Sequence, residues 1–105
     1  MIHRVSSPGV GDAYTLLQDT FNNCNDLDTL AIQSGVYYLS QALNWTHATK
    51  RIYVNAIGAN FRPYGAATLN PLLTFGGTTG NQIVCRRWSG GVFLGGGITF
   101  QNLAY

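Results

Sequence analysis

From Asp12 onward the apolar positions Ala13, Leu16, Leu17, Phe21 and Cys24 recur three and four residues apart, which marks one face of a helix with Asp12 as its N-cap. The polar cluster Asn22, Asn23, Asn25 and Asp26 stops it. After Leu27 the period changes. Short β-rich runs follow at TLAIQ (29–33), VYYLS (36–40), RIYVNA (51–56), LLTF (72–75), QIVCRRW (82–88), VFL (92–94) and GITFQNL (97–103), divided by glycine, proline or polar residues. Leu30 with Ile32, Ile52 with Val54, Ile83 with Cys85 and Ile98 with Phe100 alternate, so each run sends one apolar row inward. Ahead of the helix, residues 1–11 carry Ser6, Ser7, Pro8, Gly9 and Gly11 and read as an irregular surface arm.

Comparable strands recur at Ile32, Val54, Phe75 and Phe100, steps of roughly 20 to 25 residues, the range of solenoid repeats. Coils of that length hold two or three short strands and bury their apolar rows by stacking. Asn55 and Asn102 follow strands, where a left-handed corner suits asparagine. Short runs with glycine turns also suit a small β-sandwich or barrel, which is the alternative.

Composition bounds this picture. A chain of 105 residues with 46% hydrophobic residues is expected to fold as one domain, here residues 12–105 behind the arm. Charge is scarce and segregated: Asp12, Asp19, Asp26 and Asp28 are the only acids, and from Thr29 onward the charges are Lys50, Arg51, Arg62, Arg86 and Arg87. A modest positive field of this kind suits an anionic polysaccharide, while the dense Lys/Arg stripe of nucleic-acid binders is missing. No apolar run reaches the roughly 18 to 20 residues of a bilayer span, so no membrane insertion is expected. The start MIHRVSSPGVG lacks the apolar middle of a signal peptide, and with Met1 as the native start a cytoplasmically assembled particle such as a virion is the expected setting. Cys24 and Cys85 fit neither a disulfide scaffold nor a spaced metal site; two buried free thiols are expected, and a single bridge needs the right approach geometry.

The order of amphipathic helix, DTLAIQSGVYYLSQAL, KRIYVNAIGAN and GGGITFQN resembles the N-terminal capped region of right-handed parallel β-helix proteins, the group of pectate lyases, pectinesterases and phage tailspikes. The resemblance implies an all-β fold: a right-handed parallel β-helix of about three to four coils whose first coil is capped by the helix. It covers residues 12–103, and its motifs are those of a fold and not of an activity. In the enzymes of that group the site lies on the outer face of later coils and is built from acids with basic residues or calcium; this chain has no acid after Asp28. It is also far shorter than those proteins, so further chain or self-association is expected to cover the C-terminal end, which would otherwise expose unpaired backbone.

Candidate chemistry is sparse. Glycosidase chemistry needs two carboxyl groups across one bond, and helix capping or turn formation explains each of the four acids more simply. His3 and His47 have no acid or cysteine at ligand spacing, so no metal site, catalytic residue or cofactor is expected. Gly76-Gly77, Gly90-Gly91 and Gly95-Gly96-Gly97 lack the lysine and spacing of a phosphate loop and read as corners. Arg86, Arg87 and Trp88 form the candidate carbohydrate-binding cluster, since arginine forks hold carboxylates or sulfates and an aromatic face stacks on sugar. Regular alternation would send the two arginines to opposite faces, and solvent-facing arginines beside a packing tryptophan are the simpler reading. Asn44-Trp45-Thr46 is an N-glycosylation acceptor pattern placed in a turn. The resulting expectation is a non-catalytic structural or interaction module of an extracellular, cell-surface or virion assembly. The alternatives are the N-terminal part of a polysaccharide-degrading lyase, hydrolase or tailspike, and a carbohydrate-binding module.

Overall fold

A computed structural model describes residues 1–65, 68–77, 82–87 and 98–101, with residues 85–87 and 98–101 described by their backbone. Among these residues nine strands and one helix follow in the order β1 (Ile2–Val5), α1 (Tyr14–Asn22), β2 (Thr29–Ile32), β3 (Gly35–Leu39), β4 (Leu43–His47), β5 (Ile52–Asn55), β6 (Ala59–Pro63), β7 (Leu73–Gly77), β8 (Ile83–Arg87) and β9 (Ile98–Gln101). The strands sort into a four-stranded sheet β1-β2-β5-β8, a two-stranded sheet β3-β6 and a three-stranded sheet β4-β7-β9. Every pairing between these strands is parallel.

This corrects the expected fold class. The described residues form a small mixed fold of short parallel sheets and one helix, not an all-β right-handed parallel β-helix of three to four coils. Such a stack needs matching ladders, whereas these hold four, two and three strands. The nine-residue helix shares the core instead of lidding a finished stack: Ala13, Leu17, Phe21 and Cys24 are buried in one cluster with residues of every sheet. The sandwich or barrel alternative falls too, because those folds join neighbours by antiparallel hairpins, and parallel strands need longer crossovers. The 1–11 arm is also corrected, since Ile2–Val5 is a strand in register with Thr29–Ile32. Gly76-Gly77 end β7 instead of turning a corner. The run at 92–94 and the glycines at 90–91 and 95–97 lie outside the described residues.

Alternation explains the core. Leu30, Ile32, Ile52, Val54 and Ile83 point inward from the first sheet, Tyr37, Leu39 and Phe61 from the second, and Leu43, Trp45, Leu73 and Phe75 from the third. Trp45 joins them: its ring stacks on Phe21 at 5.9 Å, meets Phe61 edge-on at 6.0 Å and lies 6.1 Å from Phe75. The Tyr37 ring meets Phe61 at 5.6 Å, and its hydroxyl donates to the Gln33 carbonyl at 2.7 Å and the Val5 carbonyl at 3.2 Å. The corner from the first sheet to the second is tight. Gly58 has φ +72°, and a Cβ there would sit 3.0 Å from the Ser34 Cβ, so both conformation and space demand glycine.

The N-terminal segment and helix cover the first edges of two sheets. Ser7 Oγ donates to the Val36 carbonyl, and Ala13 N donates to the Tyr38 carbonyl at 2.7 Å, which occupies the edge of β3. The Gln18 side chain serves β4 as a substitute strand: its amide nitrogen donates to the Asn44 carbonyl at 2.8 Å and its oxygen accepts from Asn44 N at 2.9 Å. Unpaired edges invite association, and these contacts blunt them.

Candidate functional site

Hydrolytic or lyase chemistry on a polysaccharide would draw on the four acids. Asp12 sits just ahead of the helix, where it accepts from Tyr14 N at 3.0 Å, Ser40 N at 3.0 Å and Ser40 Oγ at 2.5 Å. Ala13, not Asp12, occupies the N-cap position, so the aspartate ties the first turn to the end of β3 instead of capping alone. Burial opposes the charged form, and these donors outweigh it, holding the Asp12 carboxyl below its ordinary value. Asp26 accepts from Arg51 N at 2.7 Å. Asp19 is exposed on the helix.

Asp28 is the buried acid. His3 Nε2 lies 2.8 Å from one carboxylate oxygen, which also accepts from Asn25 N at 2.8 Å; the other accepts from the Met1 nitrogen at 3.0 Å. Led by the His3 contact, these bonds hold the carboxyl well below the usual carboxylate range. The sequence reading left His3 without an acid, because 25 residues separate the pair; the β1–β2 register brings them together. The signal was present in Ile-His-Arg-Val, a short alternating run that is a strand with His3 on the Leu30 side.

To activate a protein nucleophile, a histidine oriented by an aspartate must have that nucleophile within hydrogen-bond reach. The nearby Cys24 is not one. It is a fully buried free thiol whose Sγ donates to the Thr20 carbonyl at 3.4 Å. Burial, aided by the charge of Asp28, pushes it up to about 11, so the thiolate is scarce near neutrality. Among the described residues no three His, Cys, Asp or Glu side chains cluster to hold a metal. His47 serves a turn, its Nδ1 accepting from Thr49 N at 3.1 Å and Lys50 N at 3.0 Å.

The sequence-derived binding cluster is placed in part. Arg86 and Arg87 close β8, with side chains outside the description, and Trp88 lies beyond the described residues. Val54 pairs with Cys85 but Asn55 pairs with Arg87, so a bulge falls at Arg86. The bulge breaks the strict alternation that would send neighbouring arginines to opposite faces. Asn44 is exposed, yet it stands within β4 and not in a turn, and its Oδ1 accepts from Thr46 Oγ1 at 2.7 Å. Lys50 is tied back by Nζ to the Cys24 carbonyl at 3.2 Å, while Arg51 is exposed.

One concavity was not foreseen. An open groove of about 480 Å³ crosses the outer face of the four-stranded sheet near its corner, and its lining includes Arg4, Ala31, Gln33, Ser34, Asn55 and Ile57. Arg4, Ala31 and Asn55 are partners in register across β1, β2 and β5, and the short Ala31 between two longer side chains leaves the hollow. Among the described residues no carboxylate lines it. Neither family models, nor curated proteins, nor solved structures gave a match to this chain.

Proposed function

We propose that this chain is a non-catalytic interaction module of an extracellular, cell-surface or virion assembly. The observation that carries the reading is the commitment of its carboxylates: Asp12, Asp26 and Asp28 each bind backbone N–H groups that hold elements together, and the groove contains none. Paired acids free to exchange protons are what glycoside cleavage uses. Exposed apolar side chains favour association: Val10 is 84% exposed, and Leu27 is 61% exposed while held at φ +69°, a conformation unusual for leucine. The test joins light scattering with incubation on acidic polysaccharides. A defined oligomer without chain cleavage supports the module; cleavage by the purified chain overturns it.

A second reading, carbohydrate binding through Arg86, Arg87 and Trp88, is favoured by the bulge at Arg86. Trp88→Ala with unchanged circular dichroism and lost glycan-array binding would support it, and unchanged binding would remove it.

A further inference from the structure

We propose that the groove over Ala31 binds an α-amido carboxylate with an aliphatic side chain, the group shared by an N-acylated amino acid and the C-terminus of a peptide. Its two walls ask for opposite things. Arg4 is exposed and has no ion-pair partner among the described residues, so its planar guanidinium is available to grip a carboxylate through two parallel bonds. Across Ala31, Asn55 lines the groove, and its buried Oδ1 receives no hydrogen bond from the described residues, a deficit that a ligand N–H would remove once the amide turns toward the hollow. Arg4 and Asn55 are separated by two strand spacings, about 10 Å between backbones, so a small ligand with its donor beside its anion spans the hollow under the long arginine.

The remaining lining selects further. Ala31 and the 48% exposed Ile57 give an aliphatic surface, and among the described residues no aromatic ring lines the groove to stack on a flat base or sugar. Gln33 accepts from Ser6 Oγ at 2.8 Å through its oxygen, which leaves its NH₂ as a further donor for the anion. A carboxylate, an adjacent N–H and an alkyl group satisfy Arg4, Asn55 and Ile57 together; a bare anion leaves Asn55 unsatisfied, and a neutral amide leaves Arg4 unused.

The test is a titration of the ¹⁵N-labelled chain, followed by NMR, with N-acetyl-L-leucine, N-acetyl-L-leucinamide, acetate, and a tetrapeptide ending in leucine. Saturable shifts at Ala31, Gln33 and the Asn55 side-chain amide are expected with N-acetyl-L-leucine, weakened at least about tenfold for leucinamide and for acetate. Arg4→Gln and Ala31→Leu, the second filling the floor, should abolish the shifts while circular dichroism is unchanged; Arg51→Gln should leave them intact. A tetrapeptide about tenfold tighter than the single residue assigns the site to a partner's C-terminus, and equal affinity assigns it to the free amino acid derivative. The proposal is overturned if no saturation occurs by about 10 mM, if acetate or leucinamide matches N-acetyl-L-leucine, or if folded Ala31→Leu still binds.

Discussion

At the scale of single residues, the groups that looked most reactive are spent on holding the N-terminal segment to the body of the molecule. Asp28 has its folded pKa depressed by His3, the Asn25 N–H and the Met1 nitrogen, in that order. Unfolding returns it to about 3.9, so below that value the unfolded chain takes up the proton first. Its contribution is therefore fully present above about pH 5 and is lost as pH falls toward the folded value. Thermal melts between pH 7 and pH 3 should show Tm falling on the acid side, and Asp28→Asn should lower Tm at neutral pH while flattening that acid limb. Cys24 leads to a kinetic expectation. With its pKa at about 11, its native thiolate fraction near neutral pH falls at least about a hundredfold below that of an ordinary thiol. In a Cys85→Ser background, labelling by a disulfide reagent should be slow by at least that factor and become fast in urea. Fast native labelling would mean that the thiol is not held as described.

At the scale of elements, edges decide more than interiors. Gln18 supplies both the donor and the acceptor that a neighbouring strand would have given Asn44. Gln18→Ala removes two hydrogen bonds of about 1 kcal/mol each and should lower unfolding free energy by about 1–2 kcal/mol in urea titrations. It should also raise the apparent mass in light scattering at high concentration, because the edge of β4 becomes free. This is also where legibility ended. β2, β3, β5 and β8 stand within a residue or two of the runs read from alternation, and α1 was legible from its three-and-four spacing, because burial of one face imposes those periods. β1, β4 and β6 were missed. Ile-His-Arg-Val is too short to show a period beside Ser, Pro and Gly; Leu-Asn-Trp-Thr-His hides its inward Leu43 and Trp45 among turn-forming residues; Ala-Asn-Phe-Arg-Pro ends in proline. The groove was illegible for a related reason. Its walls, Arg4 and Asn55, meet only through the register of three strands, and register depends on neighbours that no local window contains.

At the scale of the whole molecule, the question is whether three short sheets and a helix unfold together or apart. Each sheet is too small to be stable alone, since strands of four or five residues bury little unless another layer covers them. Trp45 supplies the link. It is fully buried, belongs to the third sheet, stacks on the helix through Phe21 and reaches the second sheet through Phe61. Removing its ring therefore withdraws packing from several elements at once, and the closed surroundings cannot collapse into the space without moving the helix. Trp45→Ala should cost about 3–5 kcal/mol, a large share of the stability of a domain this size. Because the lost contacts are shared, the far-ultraviolet signal of the sheets and the fluorescence of a tyrosine such as Tyr37 should shift to lower denaturant together, as one transition. If the helix were a separate appendage, the two probes would part, the helical signal melting first while the sheets kept their midpoint. Coincident transitions in both the parent chain and Trp45→Ala would establish that helix and sheets share one cooperative core.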